Sequence, residues 1–162
     1  QGMSEEEASK SVVRAACQMG LEDLLEQAPD TLSGGQTQRL AIASEIAFDP
    51  EFLIMDDPTS QMDPVGRKEF FEWLAGCSEK TIFIVSNEVD DLCEIADQLW
   101  VLEKGELIAS GKPLDVINQV AEGHDLYLPV VYRMAKELGK KLPSGLFPVK
   151  LSELKGCFDD QN

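Results

Sequence analysis

Most of the chemistry this chain could perform is concentrated between Leu32 and Asp63, in LSGGQTQRLAIASEIAFDPEFLIMDDPTSQMD. Ser33 and Gln36 have the spacing of a helix-capping box, in which each side chain satisfies the other residue's backbone N–H. Gly34 and Gly35 follow the cap and let the backbone approach a ligand closely. The unpaired amides of a first helical turn carry roughly half a positive charge, so this point suits an anion such as phosphate. Twenty residues on, Asp56 and Asp57 close a short apolar run. Carboxylates at that place can hold a hard cation such as Mg²⁺, which takes oxygen ligands. Anion site and acidic pair together point to phosphate chemistry.

The elements that would carry these groups follow from the same stretch. A helix capped by Ser33 continues through Ala47, with Leu40, Ala43, Ile46 and Ala47 on its inner side. Phe52 to Met55, apolar and free of glycine, fit a strand buried on both faces of a parallel sheet. Ligands of such sheets collect at the carboxyl ends of the strands, where the two aspartates stand. Asp63-Pro64 opens a further helix, with Asp at the cap and Pro at the first position, and Phe70, Phe71, Trp73 and Leu74 form its core face. Thr81 to Val85 reads as a second buried strand ending at Ser86 and Asn87.

Around this centre the pattern is helical, with one hairpin. Ser4 to Met19 form an amphipathic helix with a capping box at Ser4 and Glu7 and an inner side of Val12, Val13, Ala16 and Met19. Gly20 stops it, and Leu21 to Glu26 start a short second helix before Pro29 breaks the pattern. After the second strand come a helix from Glu88 to Ala96, a hairpin of Leu99–Glu103 and Glu106–Ser110 across Lys104-Gly105, and a helix from Pro113 through Val120. His124, the only histidine, is expected in a surface loop.

Composition narrows the function. Its 162 residues suffice for one domain with a real core, and 43% of them are apolar. Fourteen basic side chains against thirty acidic ones give a formal charge of −16, which repels nucleic acid and anionic lipid. No apolar run approaches the roughly 20 residues that span a bilayer, and no signal peptide opens the chain. Any membrane link is therefore expected through a partner. Cys17, Cys77, Cys93 and Cys157 are scattered without a CxxC pair, which argues against zinc and against a disulfide framework and fits a reducing cytoplasm. Gln1 and Gly2 have the look of a tag remnant and are set aside.

Four ordered motifs carry a family resemblance: LSGGQ at Leu32 to Gln36 with Gln38-Arg39, the strand FLIMD, then DPTS, then SQMD at Ser60 to Asp63. The chain resembles the ATP-binding domain of ABC transporters, over its C-terminal two-thirds. The hairpin segment VLEKGELIASG matches the family too, and the stretch from Asp125 to Leu142, with LPVVYRMAKEL, is similar to the tail of energy-coupling-factor ATPases, which power vitamin and metal-ion import. The resemblance implies an α/β fold, a partial P-loop NTPase of ABC type with a parallel sheet core, a helical subdomain segment and a C-terminal β-hairpin plus helices. Residues 3–47 would be the helical subdomain with the signature, 48–121 the α/β core, and 122–162 a helical tail. It implies ATP and Mg²⁺ as ligands, with Asp56 organising the metal and Asp57 polarising the attacking water. Ser33, Gly34, Gly35, Gln36, Ser60 and Asp63 would contact nucleotide, the signature acting in trans on ATP held by a second subunit. Asn87 stands where a residue contacts the γ-phosphate.

Departures from the family pattern qualify this expectation. Asp57 replaces the usual Glu, which draws the carboxylate back by about 1 Å, and a misplacement of that size can cost about a hundredfold. Asn87 replaces the usual His and can donate a hydrogen bond but cannot carry a proton. The phosphate cradle GxxxxGK[ST] is absent: Gly76 to Thr81, GCSEKT, lacks the second glycine and precedes a strand. The Q-loop and the adenine-stacking aromatic are missing as well. Without the strand that carries the cradle, an apolar sheet edge should be exposed, favouring self-association and low stability. The expected partners are a second ATPase subunit, identical or not, and transmembrane transporter subunits, with no nucleic acid. The expected location is the cytoplasmic face of the cell membrane. A non-catalytic interaction or regulatory module of the same fold is the alternative. An ABC-type ATPase of chromosome maintenance or translation fits less well, because QTQR and DPTS resemble importers and the charge opposes nucleic acid.

Overall fold

The computed structural model describes residues 2–124 and 126–159, so Asp125, in the tail segment read above, lies outside the described residues. Contacts divide the chain once, into a compact unit ending at Ser86 and a second beginning at Asn87.

The first unit begins with α1, Glu5–Gln18, whose start is the expected capping box. Glu7 Oε2 accepts from the Ser4 N–H at 2.8 Å, and the Glu7 N–H donates to Ser4 Oγ at 3.3 Å. The Ser4 N–H and the Ser4 hydroxyl, which also donates to Glu7 Oε2 at 2.8 Å, hold the Glu7 carboxyl below its ordinary pKa. Gly20 ends the helix in the left-handed region with φ +61°. The packed side is Ala15, Ala16 and Met19, whereas Val12 and Val13, expected inside, are exposed. Two adjacent alanines let the backbone lie close to its neighbour, and that contact places the valines on the outer side. The second helix expected from Leu21 is only a 3₁₀ turn, Glu22–Leu24, followed by another at Pro29–Thr31.

Helix α2 runs Gly34–Ile46 and packs on α1, with Ile42, Ala43 and Ile46 buried. Strand β1, Phe52–Asp56, lies parallel to β2, Thr81–Val85, in the register Phe52↔Thr81 through Asp56↔Val85. Between them α3, Pro64–Ala75, is capped by Asp63 and buries Phe70, Phe71 and Leu74. The rings of Phe70 and Phe71 meet edge to face at 5.6 Å.

The expectation that both strands are buried on both faces is not met. Leu53 is buried, but Phe52, Ile54, Phe83 and Val85 expose 69%, 84%, 48% and 63% of their surface. The pleat puts these four on one side together with Asp56. Burying both faces of a parallel sheet needs a layer on each side, and among the described residues no layer covers this one. Both outer edges of the two-stranded sheet are likewise unpaired among the described residues, so the expected open edge is accompanied by an open face.

The second unit closes around its own core. Helix α4, Val89–Ile95, leads to the antiparallel hairpin of β3, Leu99–Glu103, and β4, Glu106–Gly111. Lys104 and Gly105 turn it with φ of +52° and +85°, the pattern of a type I′ turn. The register shifts between Val101 and Leu102, leaving Ile108 as an extra residue that packs on the core. Helices α5, Pro113–Val120, α6, Val130–Leu138, and α7, Leu151–Asp159, complete the unit. Cys93, Val116, Ile117, Val120, Tyr132 and Val149 are its buried centre. Burial and the neighbouring Asp90 and Glu94 push the Cys93 thiol up to about 12. The Asn118 side chain donates to the carbonyls of Leu114 and Phe147 and accepts from the Phe147 N–H, pinning the chain before α7 to α5. His124, expected in a surface loop, is half-buried, its Nδ1 2.8 Å from Glu103 Oε2.

Candidate functional site

Ser33 is the N-cap of α2 in extended backbone, φ −68° and ψ 163°. The Gln36 N–H donates to Ser33 Oγ at 3.3 Å, and Gln36 Oε1 accepts from the Ser33 N–H at 2.8 Å. That exchange uses the hydroxyl as an acceptor, so its own proton remains available to an anion. The N–H groups of Gly34 and Gly35 belong to the turn that has no intrahelical acceptor. Helix start and anion-binding amides are therefore one structure.

A second loop flanks this helix start. A Cβ added at Gly34 would come within 2.7 Å of Gln61 Oε1, and one at Gly35 within 3.1 Å of the Gln61 carbonyl oxygen. The glycines thus admit the backbone of the Gln61–Asp63 turn as well as any ligand. Asp63 Oδ1 accepts from the Gly66 N–H at 2.8 Å and so caps α3 with the carboxylate read as nucleotide-binding. Ser33, Gly34, Gly35, Gln36, Arg39, Gln61, Met62, Asp63 and Gly66 line one open depression. Five of the residues singled out from the sequence meet there.

Asp56, Asp57 and Ser60 lie outside the depression, further back on the same loop. Asp57 adopts the left-handed region, φ +46°, a conformation that costs on the order of 1–2 kcal/mol and that Asp tolerates better than most side chains. Three hydrogen bonds hold it: its N–H donates to Val85 O at 2.8 Å, and its carbonyl accepts from the Ser60 N–H at 3.2 Å and from Gln38 Nε2 at 3.4 Å. Asp56 is exposed at the end of β1. No group of three or more metal-ligating side chains occurs among the described residues. A single open carboxylate of this kind fits Mg²⁺, which keeps several waters and takes its remaining oxygens from phosphate. Asn87 is exposed and belongs to the second unit.

Arg39 and Gln61, which stand within the sequence motifs but were given no role there, also line the depression. Arg39 Nη1 donates to the Met19 carbonyl at 3.3 Å, tying α2 to the end of α1. Its place beside Gln38 in the QR pair was a signal, while nothing about the type of Gln61 marks it.

Comparison with known proteins bears on the family and the fold. The ABC transporter family profile matches residues 2–60. Over 160 residues the chain is 38% identical to the energy-coupling factor transporter ATP-binding protein EcfA2 of Streptococcus pneumoniae, a match covering 95% of this chain and 57% of that protein. The protein of the same name from Streptococcus pyogenes is similar to the same extent, 38% over 95% and 57%. The chain is similar to the ATPases of ABC transporters over the part of them that it spans. Among solved ABC ATPases, cbiO1 from Clostridium perfringens, part of the transporter complex cbiONQ, superposes with a TM-score of 0.64 at 28% identity over 86% of this chain and 56% of that one. A bacterial ABC transporter cassette solved as a dimer gives 0.63 at 27% identity over 70% and 50%. Here the ABC ATPase fold is an α/β assembly with a parallel strand pair, as the sequence led one to expect. The chain spans little more than half the length of the curated relatives it matches.

Proposed function

We propose that this chain carries the signature-bearing part of an ATP-hydrolysing subunit of an ABC membrane transporter, an importer of the energy-coupling-factor type. The observation that supports it is the depression at the α2 N-terminus, where capped helix, paired glycines and the Gln61–Asp63 turn converge. On this reading the Ser33 hydroxyl and the Gly34 and Gly35 amides receive the terminal phosphate of ATP held by a second ATPase subunit. Gln36 keeps Ser33 in place, and the Ser60–Asp63 turn borders the shared nucleotide.

Asp56 would hold Mg²⁺, which, when bound, neutralises charge developing on the phosphates. Asp57, fixed by its three backbone bonds, orients the attacking water, and Asn87 donates a hydrogen bond to the γ-phosphate. Transmembrane subunits would anchor the assembly peripherally at the cytoplasmic face of the membrane. Among the described residues no helix is long and apolar enough to cross it. The test is a Ser33→Arg change in the full-length subunit, where the bulky cation fills the phosphate approach. Hydrolysis should fall to background while the subunit stays folded; unchanged turnover would remove the role given to Ser33.

A second reading is supported by Asp57 and Asn87: a non-catalytic module that keeps the fold for docking. Full-length subunit that binds ATP without turnover would favour it.

A further inference from the structure

We propose that Gln38 is a positioning residue that ties the signature helix to Asp57 of the same subunit, so that nucleotide closing on the start of α2 acts on this subunit's own water-orienting carboxylate. The inference rests on the reading of Asp57 given above. Gln38 stands in the second turn of α2, five residues beyond Ser33, and is half-buried. Its Nε2 reaches across nineteen residues to donate to the Asp57 carbonyl at 3.4 Å. That carbonyl already accepts from Ser60, and the Asp57 N–H is committed to Val85. With both backbone groups of Asp57 engaged, its left-handed φ of +46° is set by its partners.

A second contact makes the coupling mechanical. The Gly34–Gly35 backbone lies against Gln61, so closely that a methyl group on Gly34 would meet Gln61 Oε1 at 2.7 Å. Helix α2 therefore touches the loop at both ends, Asp57 through Gln38 and Gln61 through the glycines. An α-helix moves as a rigid rod over two turns, so a displacement of its N-terminus on phosphate is delivered to both points. Sites at which two subunits share nucleotide would be linked in this way, each subunit's signature adjusting the carboxylate it contributes to the other site.

The test compares three variants of the full-length subunit. Gln38→Met keeps length and volume but removes the donor, Gln38→Glu sets an acceptor against the Asp57 carbonyl, and Gln38→Lys keeps an N–H donor. The first two should lower kcat roughly tenfold, within the hundredfold that about 1 Å of misplacement can cost, with KM for ATP and the thermal midpoint unchanged. Gln38→Lys should retain most of the wild-type kcat. In parallel, amide hydrogen exchange at Ser60 and Met62 of this chain should speed up in Gln38→Met and not in Gln38→Lys. Equal kcat in all three variants, equal losses in all three, or unaltered exchange would overturn the tie. If exchange responds as expected while full-length wild type does not hydrolyse ATP, the tie stands and it is the ATPase reading that fails.

Discussion

The two compact units solve the problem of order differently. Beyond Asn87, order comes from enclosure: Val116, Ile117, Val120 and Val149 are almost wholly buried, and Asn118 stitches the chain before α7 onto α5. Up to Ser86, the residues with chemical potential are ordered by hydrogen bonds to backbone groups. Ser33 and Gln36 cap each other, Asp63 caps α3, and Asp57 is gripped by Val85, Ser60 and Gln38, while the sheet behind Asp56 leaves one face open. A site built from helix starts and strand ends needs accessible backbone, and accessible backbone cannot also be buried core. The first unit keeps a buried core of its own, Phe70, Phe71 and Leu74 among it, and leaves open the sheet face on which Asp56 stands.

The largest effect expected from this contrast is on molar mass. Phe52, Ile54, Phe83 and Val85 present a continuous apolar face, and faces of this kind associate. Light scattering should give a mass at least twice the monomer's 17.9 kDa at high concentration, with Ile54→Lys shifting it toward monomer. A clean monomer throughout would show that the open face is harmless. Next in size is core truncation. Ile117→Ala should destabilise by about 3 kcal/mol, by lost burial and a residual cavity, whereas Ile54→Ala should stay within about 0.5 kcal/mol. Denaturant titration of both variants decides whether stability resides where enclosure does; equal losses would erase the contrast. The smallest effect is at the site itself: Ser33→Ala should cost about 1 kcal/mol through the lost cap, read from the same titration.

What was legible in the sequence follows the same division. Capping boxes at Ser4–Glu7 and Ser33–Gln36, the Asp63-Pro64 helix start and the Lys104-Gly105 hairpin are set by residues within a few positions of one another, and the structure has all of them. The anion-ready helix start was legible for the same reason. Illegible features depended on distant partners. Whether a run such as FLIMD is covered on one face or two is decided by layers elsewhere, not by its own composition. Val12 and Val13 fit a helical stripe as well as Ala15 does, and only the packing of α2 selects the alanines. His124 offered no sign of Glu103, twenty-one residues away, and Gln38 none of Asp57.

The central proposal is that Ser33 to Gln36 present the signature side of a shared nucleotide site, and GxxxxGK[ST] does not occur within these 162 residues. Calorimetric titration of the chain with Mg²⁺ and ATP tests it most directly. The account predicts no saturable heat of binding. Saturable binding that disappears in Asp56→Asn would contradict it, because a usable site would then exist in this chain without GxxxxGK[ST].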